Sequence, residues 1–588
     1  MNGIGYILYK QPKNMDIMNY VTGTGIPRTA AVRESRKGTG ISSIIIQLSE
    51  GDGNLKKVFQ HLCLVALLAC VPAAAACSET KKDEGPTALS LMEEVNSTNI
   101  LHPDNQCRLW YTISLPEFMG TSMDTEAKGL ANAALYMDYF SDGVVDSLDS
   151  DLNMNGLYIK NLVSLNENGH PDLLNAINPA VADEDVLRRF CTAAKAKDVA
   201  VMMDLNVTAI DKDSEQFQND LKTIQNAYKD DKSISEIDGS LSSEYWIDRK
   251  QHSDQWHEIP DTKWYYYGAD GSEDPMLKPN SEQAKQRVKD AITWYMGLGI
   301  SGFYLHDVDD AITSPDTLKE YLNWFDSTAR ELNENVVVIA DGSSSSDALR
   351  GSSAYLVDQG VEGNDGAIEQ AVSGALSPVD LGKALTSRST NTDRHTVNRL
   401  SLNESAAGLN ADLTAPQKKM ALALNLLLPG QTFVFAGDEL GIQASQEDPV
   451  YTSLATPDIE GKGNDDAEAV NVEGDNALVQ TKDGNSTLNF VKQAILLRDS
   501  YTAISSGSVS VREDLSTDKI LVLEEVNDSS HVLLAFNLSD SPASLDLSDV
   551  QIQDLPAELG GMLLTSAEAV TLEENSLYLP ACSVALLK

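Results

Sequence analysis

The stretch GISGFYLHDVDDA, residues 299–311, places reactive side chains directly after an apolar run. Tyr304 and His306 stand two residues apart, so they share one face of a strand. Three aspartates follow: Asp307, Asp309 and Asp310. An imidazole beside carboxylates could bind a metal ion or transfer protons. We predict instead a satisfied, partly exposed strand-end cluster with no metal and no cofactor. Asp307 cannot take over the role of the residue at position 306, because neighbouring strand residues point to opposite faces.

The elements that must position these residues are short apolar runs alternating with helical patterns. Eight strand candidates occur: CRLWYTISL, MNGLYIKNLV, VAVMMDLNV, ISGFYLHDV, NVVVIADG, SAYLVDQGV, HTVNRLSLN and TFVFAGDELG. Most are followed by a helix, and strands buried on both faces are typical of a parallel sheet. The pattern predicts a (β/α)8 TIM barrel over residues 109–500.

Two regions depart from this repeat. Residues 208–280, after the third strand, are too long for a plain loop, and they predict a small inserted subdomain. Residues 501–588 contain short alternating strands, which predict a C-terminal antiparallel β-sandwich. The expected architecture is therefore a barrel, an insertion and a sandwich.

This order resembles the α-amylase family of glycoside hydrolases, from about Trp110 to Lys588. The motifs that carry the resemblance are GISGFYLHD, INPAVADEDVLRRF, VAVMMDLNVT and LLLPGQTFVFAGDELG. Retaining glycosidases use two carboxyl groups about 5 Å apart, one as nucleophile and one as acid/base. The family pattern at strand four is Gly-Phe-Arg-x-Asp. Here Tyr304 stands in the place of the arginine and His306 in that of the nucleophile.

Four other family positions differ as well. The acid expected after strand five is represented only by Asp341, which is a shorter side chain. The Asn-His pair expected after strand three is Thr208-Ala209, and the Asp-Tyr pair before INP is Leu173-Leu174. The His-Asp pair of strand seven is missing from HTVNRLSLNES. Five changes together predict a pseudoenzyme.

Two alternatives stay open. The chain could be an α-glucosidase with altered catalytic residues, using Asp341 and either Asp307 or Asp309. It could also be a secreted sugar-binding pseudoenzyme. The aromatic run 264–267 of the insertion, WYYY, could stack on sugar, but packing inside the insertion is the preferred interpretation.

Charge and hydropathy divide the chain near its amino end. The net charge is −44, and residues 1–57 carry eight Lys/Arg against four acids, which leaves −48 on the remainder. Such an acidic body repels phosphate backbones, so we expect no nucleic-acid partner. Residues 58–77 are almost wholly apolar and could be a membrane anchor or a signal segment. The long basic segment upstream favours an anchor with a cytosolic tail.

A barrel of this kind without its carboxylates, behind a basic tail and an apolar segment, is similar to the heavy chain of heteromeric amino-acid transporters. The resemblance implies a single-pass type II glycoprotein of the plasma membrane, with its C-terminal domain outside. It implies a non-catalytic subunit that escorts a multi-spanning amino-acid permease, the light chain. The alternative location is secretion.

The same resemblance implies a disulfide to the permease from a polar neck, residues 78–108. The cysteine just before the barrel, Cys107, ranks ahead of Cys77, which could also be lipidated or removed; a bridge between the two is the other possibility. Cys191 and Cys582 are expected to be buried thiols. The candidate glycosylation sites are Asn96, Asn403, Asn485, Asn527 and Asn537. The sequon at Asn206 falls in a buried strand.

Overall fold

The computed structural model describes residues 6–10, 15–21, 27–36, 42–47, 85–96, 107–115, 129–143, 151–237, 244–269, 271–306, 308, 312, 314–340, 355–356, 366–390, 396–400, 413–441 and 477–588. The chain forms two compact units, Met1–Gly85 and Pro86–Lys588.

The first unit contains an antiparallel sheet of four strands in chain order. They are β1 (Tyr6–Lys10), β2 (Met15–Val21), β3 (Pro27–Arg36) and β4 (Ser42–Gln47). This sheet lies inside the basic segment 1–57, for which the sequence predicted no strands. The predicted anchor, 58–77, lies outside the described residues. Within the part of the chain that the structure describes, no helix has the length and apolarity needed to cross a membrane.

The helices of the second unit are α1 (Ala88–Asn96), α2 (Leu130–Ala133), α3 (Met137–Phe140), α4 (Glu184–Lys195), α5 (Glu215–Lys229), α6 (Glu282–Leu298), α7 (Pro315–Arg330), α8 (Ala367–Val372), α9 (Pro378–Thr390), α10 (Ala415–Leu426), α11 (Ala477–Lys482), α12 (Thr487–Ser500) and α13 (Thr502–Ser506). Several of these helices are capped at their amino ends by a polar side chain. Asp183, Ser214 and Ser281 each accept a hydrogen bond from the third backbone amide of the helix, which satisfies a donor left free at the helix start.

The strands of the second unit are β5 (Leu109–Ser114), β6 (Gly156–Lys160), β7 (Ala200–Asp204), β8 (Ile247–Asp248), β9 (Trp256–Glu258), β10 (Tyr265–Tyr267), β11 (Gly302–Leu305), β12 (Val337–Ala340), β13 (Tyr355–Leu356), β14 (Val397–Asn398), β15 (Gln431–Phe435), β16 (Ser508–Val511), β17 (Ile520–Val526), β18 (His531–Asn537), β19 (Ala543–Asp546), β20 (Gln551–Ile552), β21 (Leu555–Pro556), β22 (Leu559–Leu564), β23 (Thr571–Glu573), β24 (Ser576–Leu579) and β25 (Ser583–Leu587).

Eight of these strands form one parallel sheet in the order β13-β12-β11-β7-β6-β5-β15-β14. Each of the eight lies in one of the predicted strand runs. In chain order the last of the eight strands is β15 and the first is β5, and these two pair with each other, with Phe433 opposite Trp110. A sheet whose eighth strand returns to its first curls on itself, so the predicted (β/α)8 barrel is confirmed.

The insertion after the third barrel strand consists of α5 and an antiparallel sheet in the order β8-β10-β9. Tyr266 of β10 is buried, and its ring lies edge-on to Phe217 of α5 at 5.1 Å between centroids. The insertion therefore has its own small core.

The C-terminal region is antiparallel, as predicted. A five-stranded sheet has the order β16-β17-β18-β25-β22, and a three-stranded sheet has the order β19-β24-β23. The run SLYLPACSVALL forms two strands, β24 and β25, because Cys582 between them has a φ of 46°. An extended strand cannot continue through such a left-handed residue.

Helix α1 joins the C-terminal region to the residues just before the barrel. Asn96 at its end is fully buried, and its Nδ2 donates to the carbonyl oxygen of Met562 at 2.8 Å. Its Oδ1 accepts from the amide of Met562 at 2.7 Å. Residues 88–96, predicted as part of a polar neck, are thus a docked helix. The correction has a simple cause: the helix buries only a few residues, such as Met92, so its sequence looks polar.

Candidate functional site at the carboxyl end of the barrel

Side chains that point into the barrel fill its interior. They form one buried cluster: Trp110, Tyr158, Met202, Tyr304, Val337, Ile339, Val397, Phe433 and Phe435. The indole of Trp110 lies over Gly156 of the neighbouring strand, where an added Cβ would come within 2.4 Å of the ring. Because the interior is packed, a ligand would bind at the carboxyl ends of the strands.

Tyr158, Tyr304 and His306 form an aromatic group at this end. The rings of Tyr158 and Tyr304 stack at 5.1 Å, and the ring of His306 lies 4.7 Å from that of Tyr304. The Nε2 atom of His306 is 3.2 Å from the hydroxyl oxygen of Tyr158. His306 is half-buried and follows β11 directly. The structure therefore brings together both residues that the sequence placed on the inward face of strand four.

Two basic side chains border this group. The guanidinium carbon of Arg399, which follows β14, lies 5.1 Å from the centre of the Tyr304 ring and 5.7 Å from that of Phe435. The ammonium of Lys160, at the end of β6, lies 6.0 Å from the Phe435 ring. These are cation–π contacts, which fix both cations at the rim of the barrel. Neither residue could be predicted from the sequence, since nothing in the local pattern signals the contact.

Asp204, at the end of β7, contributes a carboxylate near the same rim. It is buried, and its oxygens accept from the backbone amide of Asn161 at 3.1 and 3.3 Å. The side-chain amide of Asn161 in turn donates to Ser114 at 3.0 Å. This carboxylate ties together the ends of three neighbouring strands, β5, β6 and β7.

Thr208 and Ala209 follow β7, at the positions where the resemblance implies an Asn-His pair. The hydroxyl of Thr208 donates to the side-chain oxygen of Asn206 at 2.8 Å. Ala209 is fully buried in a small apolar cluster with Ala269 and Met276 of the insertion. The backbone amide of Leu277 in the insertion donates to the carbonyl oxygen of Thr208 at 2.8 Å, so these two positions anchor the insertion to the barrel.

The remaining candidate acids are outside the described residues. They are Asp307, Asp309, Asp310 and Asp341. The roles predicted for them remain predictions. Across the described ranges, no three His, Cys, Asp or Glu side chains come together as a group that could hold a metal ion.

A buried acid, Glu439, lies behind the rim. Glu439 follows β15, and its Oε1 accepts from the hydroxyls of Tyr111 at 2.8 Å and Tyr139 at 3.0 Å. Burial raises the pKa of Glu439 to about 7, although these hydrogen bonds oppose the shift. Burial also raises the pKa of Tyr111 well above its ordinary value, and the nearby Glu439 carboxylate adds to that. The group is fully enclosed, which suits a structural role.

The cysteines predicted near the anchor are placed only in part. Cys107 is buried, and its carbonyl oxygen lies 3.5 Å from the Nη2 of Arg498. A bridge to another chain would require this thiol to leave its buried position, and Cys77 lies outside the described residues. Cys191 and Cys582 are both buried in the structure. Burial raises the pKa of Cys191 to about 12, so its thiol is unreactive.

The five glycosylation candidates differ in exposure. Asn96 and Asn537 are fully buried. The Nδ2 of Asn537 donates to the carbonyl oxygens of Pro580 at 2.7 Å and Ser541 at 2.9 Å, so a glycan there would displace core bonds. Asn485 is exposed and Asn527 half-exposed. Asn403 lies outside the described residues.

A concavity opens at the amino end of the barrel. It has a volume of about 890 Å³ and is lined by the ends of α4 and α6 and the starts of β7 and β11, with Arg108, Lys195 and Ser301 among its residues. Reactions in such barrels take place at the carboxyl ends of the strands, so we assign the site to the aromatic group around His306.

Comparisons with known proteins place the fold. No family model matches the sequence, and no curated protein matches it. Among solved structures, Eubacterium rectale Amy13B aligns with a TM-score of 0.71 at 21% identity, over 86% of this chain and 99% of that one. The α-amylase from H. orenii aligns with a TM-score of 0.65 at 17% identity, over 82% and 99%.

Bacillus licheniformis trehalose-6-phosphate hydrolase aligns with a TM-score of 0.64 at 14% identity, over 83% of this chain and 100% of that one. Each of these structures is matched along almost its whole length. Identities this low show a shared fold and nothing finer. The chain therefore has the fold of these α-amylase-type glycoside hydrolases.

Proposed function

We propose that this protein binds α-glucosides at the carboxyl end of its barrel and does not hydrolyse them through strand β11. The shared fold supports the class of ligand, since the similar structures include an α-amylase and a trehalose-6-phosphate hydrolase by name. The observation that carries the proposal is the position of His306, whose imidazole contacts Tyr158 and Tyr304.

Retaining hydrolysis needs a carboxylate that attacks the anomeric carbon and a second carboxyl group about 5 Å away. At the inward position after β11 the chain presents an imidazole, and Tyr304 below it is buried by stacking. Asp204 is the nearby described carboxylate, and it is buried against the amide of Asn161. An acid held by a backbone amide is a poor nucleophile because its negative charge is already stabilised.

The aromatic group still suits a sugar. The rings of Tyr158 and Tyr304 are buried, but the imidazole of His306 and the guanidinium of Arg399 can donate hydrogen bonds, which are among the groups that orient a polyhydroxylated ligand. His306 and Arg399 are both half-buried, so each can reach solvent at the rim. Binding therefore does not depend on the missing carboxylate.

A second candidate is an active α-glucosidase with altered catalytic residues. The similarity to named hydrolases favours it. Its carboxylates would be Asp341 with Asp307 or Asp309, none of which the structure describes.

One set of assays separates the two candidates. Purified protein is incubated with maltose and p-nitrophenyl α-glucoside, and binding of maltoheptaose is measured by calorimetry. We expect heat of binding without release of glucose or nitrophenol, and weaker binding in Arg399→Ala. Turnover that disappears in Asp341→Asn would refute the non-hydrolytic proposal and establish the second candidate. Absence of both binding and turnover would refute α-glucosides as the ligand.

The role of a permease escort, predicted from the sequence, remains a separate proposal. It depends on residues 58–77 as an anchor and on a cysteine near it, and no comparison bears on either. A pull-down from membranes with the full chain, followed by identification of any multi-spanning partner, tests it. Full release of the protein by alkaline carbonate, or the lack of any reducible high-mass band, would contradict it.

A further inference from the structure

The cavity at the amino end of the barrel has walls built from the ends of two helices. On one side lie Arg188, Thr192 and Lys195 of α4, which are three or four residues apart and so share one face of the helix. On the other side α6 ends, and Gly299 turns the chain towards β11. Gly299 has a φ of 112°, and an added Cβ would come within 2.5 Å of the Cβ of Cys191, so the two walls meet closely at this point.

The floor of the cavity is fixed by polar contacts. Arg108, which precedes β5, is 8% exposed, and its Nη1 donates to the carbonyl oxygen of Asn155 at 2.6 Å. The same oxygen accepts from the amide of Ala200, the first residue of β7, at 3.1 Å. Ser301, just before β11, accepts with its Oγ from the amide of Val201 at 3.0 Å, which ties β11 to β7. A cation held on such a floor needs little rearrangement to meet a ligand.

The charge of this cavity is opposite to that of the chain. Among the described residues that line it, Arg108, Arg188 and Lys195 are basic and one, Asp198, is acidic. The chain as a whole has 88 Asp and Glu against 44 Lys and Arg. A concave surface with an excess of one charge concentrates ligands of the opposite charge. The cavity should therefore attract anions, which the acidic chain as a whole repels.

The end of α6 would by itself oppose an anion, because the carboxyl end of a helix carries partial negative charge. Here its last carbonyl oxygens are occupied. That of Met296 accepts from the amide of Gly299 at 3.1 Å, and that of Gly297 accepts from the Nη1 of Arg188 at 3.2 Å. The Arg188 guanidinium thus bridges the two walls. Because a guanidinium has five N–H donors, it can make this bond and bind a ligand as well.

We infer that this cavity binds a small molecule that carries a phosphate group, held by Arg188 and Lys195 and further attracted by the buried guanidinium of Arg108. Guanidinium groups match phosphate oxygens with paired hydrogen bonds, and a lysine adds a compact charge. The volume of about 890 Å³ is far larger than inorganic phosphate needs and lies in the range of small-molecule sites. Leu332, which is 51% exposed, and the half-buried Met296 offer apolar surface to the rest of the molecule.

This site is independent of the proposed function. The group around His306 lies at the carboxyl end of the barrel and the cavity at the amino end, so neither requires the other. Because reactions in such barrels take place at the carboxyl end, we expect binding at the cavity without turnover. A ligand that bridges α4 and α6 should also raise the melting temperature, since it binds the folded chain only.

Calorimetry with the full chain at low salt tests the site, with glucose 6-phosphate, inorganic phosphate and glucose as probes. Glucose 6-phosphate should bind more tightly than inorganic phosphate. Arg188→Gln should weaken its binding about tenfold, and adding Lys195→Gln should weaken it further, whereas any binding of glucose should not change. The matched control is Arg189→Gln, one residue along α4, whose side chain is 71% exposed and paired with Asp185. It makes the same change of charge outside the cavity and should leave binding unaltered.

Several outcomes would overturn the inference. Equal losses in Arg188→Gln and Arg189→Gln would indicate a general effect of net charge. Inorganic phosphate that binds as tightly as glucose 6-phosphate would exclude a site for the larger molecule, and no binding of either at millimolar concentration would exclude the site. Loss of glucose 6-phosphate binding in Arg399→Ala, with none in Arg188→Gln, would place the ligand at the rim. Maltoheptaose binding should be the same in Arg188→Gln as in the unaltered chain, so failure of this site leaves the proposed function standing.

Discussion

The two ends of the barrel are built from different interactions. At the amino end, Arg498 of α12 is almost fully buried, and its Nη atoms donate to the carbonyl oxygens of Leu426, Leu428 and Gly430 at 2.7–3.0 Å. Gln431 accepts there from the indole nitrogen of Trp110 at 2.8 Å. At the carboxyl end, His306 and Arg399 are half-buried, and both contact the ring of Tyr304.

This contrast indicates which contacts stabilise the barrel. The amino end fixes the scaffold with directional, buried hydrogen bonds, so its residues are hard to replace without loss of stability. The rim uses stacking and cation–π contacts at half-exposed positions, which are individually weak. Residues at the rim can therefore change while the barrel persists.

The largest loss of stability is expected for a substitution at the amino end of the barrel. Arg498→Met removes the donors that several buried carbonyl oxygens need. It also removes the cation near Glu525, a buried acid whose pKa stays well above its ordinary value because burial outweighs the opposing effect of Arg498. We expect the free energy of unfolding to fall by about 3–5 kcal/mol. Urea denaturation measures this. Arg189→Met, at a 71% exposed side chain of α4, is the control and should change stability by less than about 0.5 kcal/mol. Similar losses in both variants would contradict the contrast.

The next effect concerns the bond between barrel and insertion. Asp274 is fully buried, and its Oδ2 accepts from Asn166 and Asn168 at 2.9 Å and lies 2.8 Å from the Nδ1 of His170. Asp274→Ala leaves these donors unpaired, so we expect a loss of about 3 kcal/mol. The exposed Asp254→Ala is the control.

The lowered pKa of Asp274 also predicts how the stability of the fold changes at acid pH. Burial by itself would raise the pKa of Asp274, but the hydrogen bonds, from His170 first, hold it below its ordinary value. A lowered pKa stabilises the fold at pH above the ordinary carboxyl range, and this stabilisation is lost as the pH falls through the lowered pKa. The acid dependence below pH 4 should therefore be weaker in Asp274→Ala, and an unchanged profile would refute the assignment.

A somewhat smaller effect lies just behind the rim. The pKa of Glu439 is raised by burial to about 7, above the unfolded value, so the protonated form stabilises the fold. That stabilisation is complete below about pH 4.5 and is lost as the pH rises through about 7, a change of about 3 kcal/mol. Glu439→Gln should flatten this part of the pH profile of stability. Glu558→Gln, at an exposed position, should not; equal profiles for both variants would count against the enclosed acid.

The smallest effect is expected at the rim. His306→Ala removes one contact with Tyr158 and a ring contact with Tyr304, so the free energy of unfolding should change by less than about 1 kcal/mol. Binding of maltoheptaose should weaken at the same time. A loss of stability as large as that of Arg498→Met would show that the rim holds the barrel together, and the contrast between the two ends would be wrong.

Much of the architecture could be predicted because each element has its own local pattern of apolar and polar residues. Each barrel strand is a short apolar run before or after a helix, and strand alternation placed Tyr304 and His306 on the inward face. Thr208 and Ala209 were found because they follow a strand with a clear end. In the aromatic run of the insertion the prediction of packing fits Trp264 and Tyr266, which are buried, and Tyr267, which packs against Ala209, Ala269 and Met276. Tyr265 is half-buried.

Contacts between distant segments could not be predicted in this way. Tyr158 and His306 are 148 residues apart, and Arg498 lies 391 residues from Cys107. No periodicity links such pairs, because they meet only when the sheet curls and returns to its first strand. The docked helix α1 was missed for the same reason: Asn96 looks like a surface residue until its partner, Met562, is known.

The sequence by itself determined the order of barrel, insertion and antiparallel C-terminal region, since hydrophobic burial imposes its period on each element separately. It also determined that strand four ends in a histidine where the resemblance implies a carboxylate. Only the tertiary structure decided what surrounds that histidine, which rings of the insertion face solvent and which polar side chains are satisfied in the core. Those depend on closure of the sheet and on the packing of remote segments, and local chemistry does not encode either.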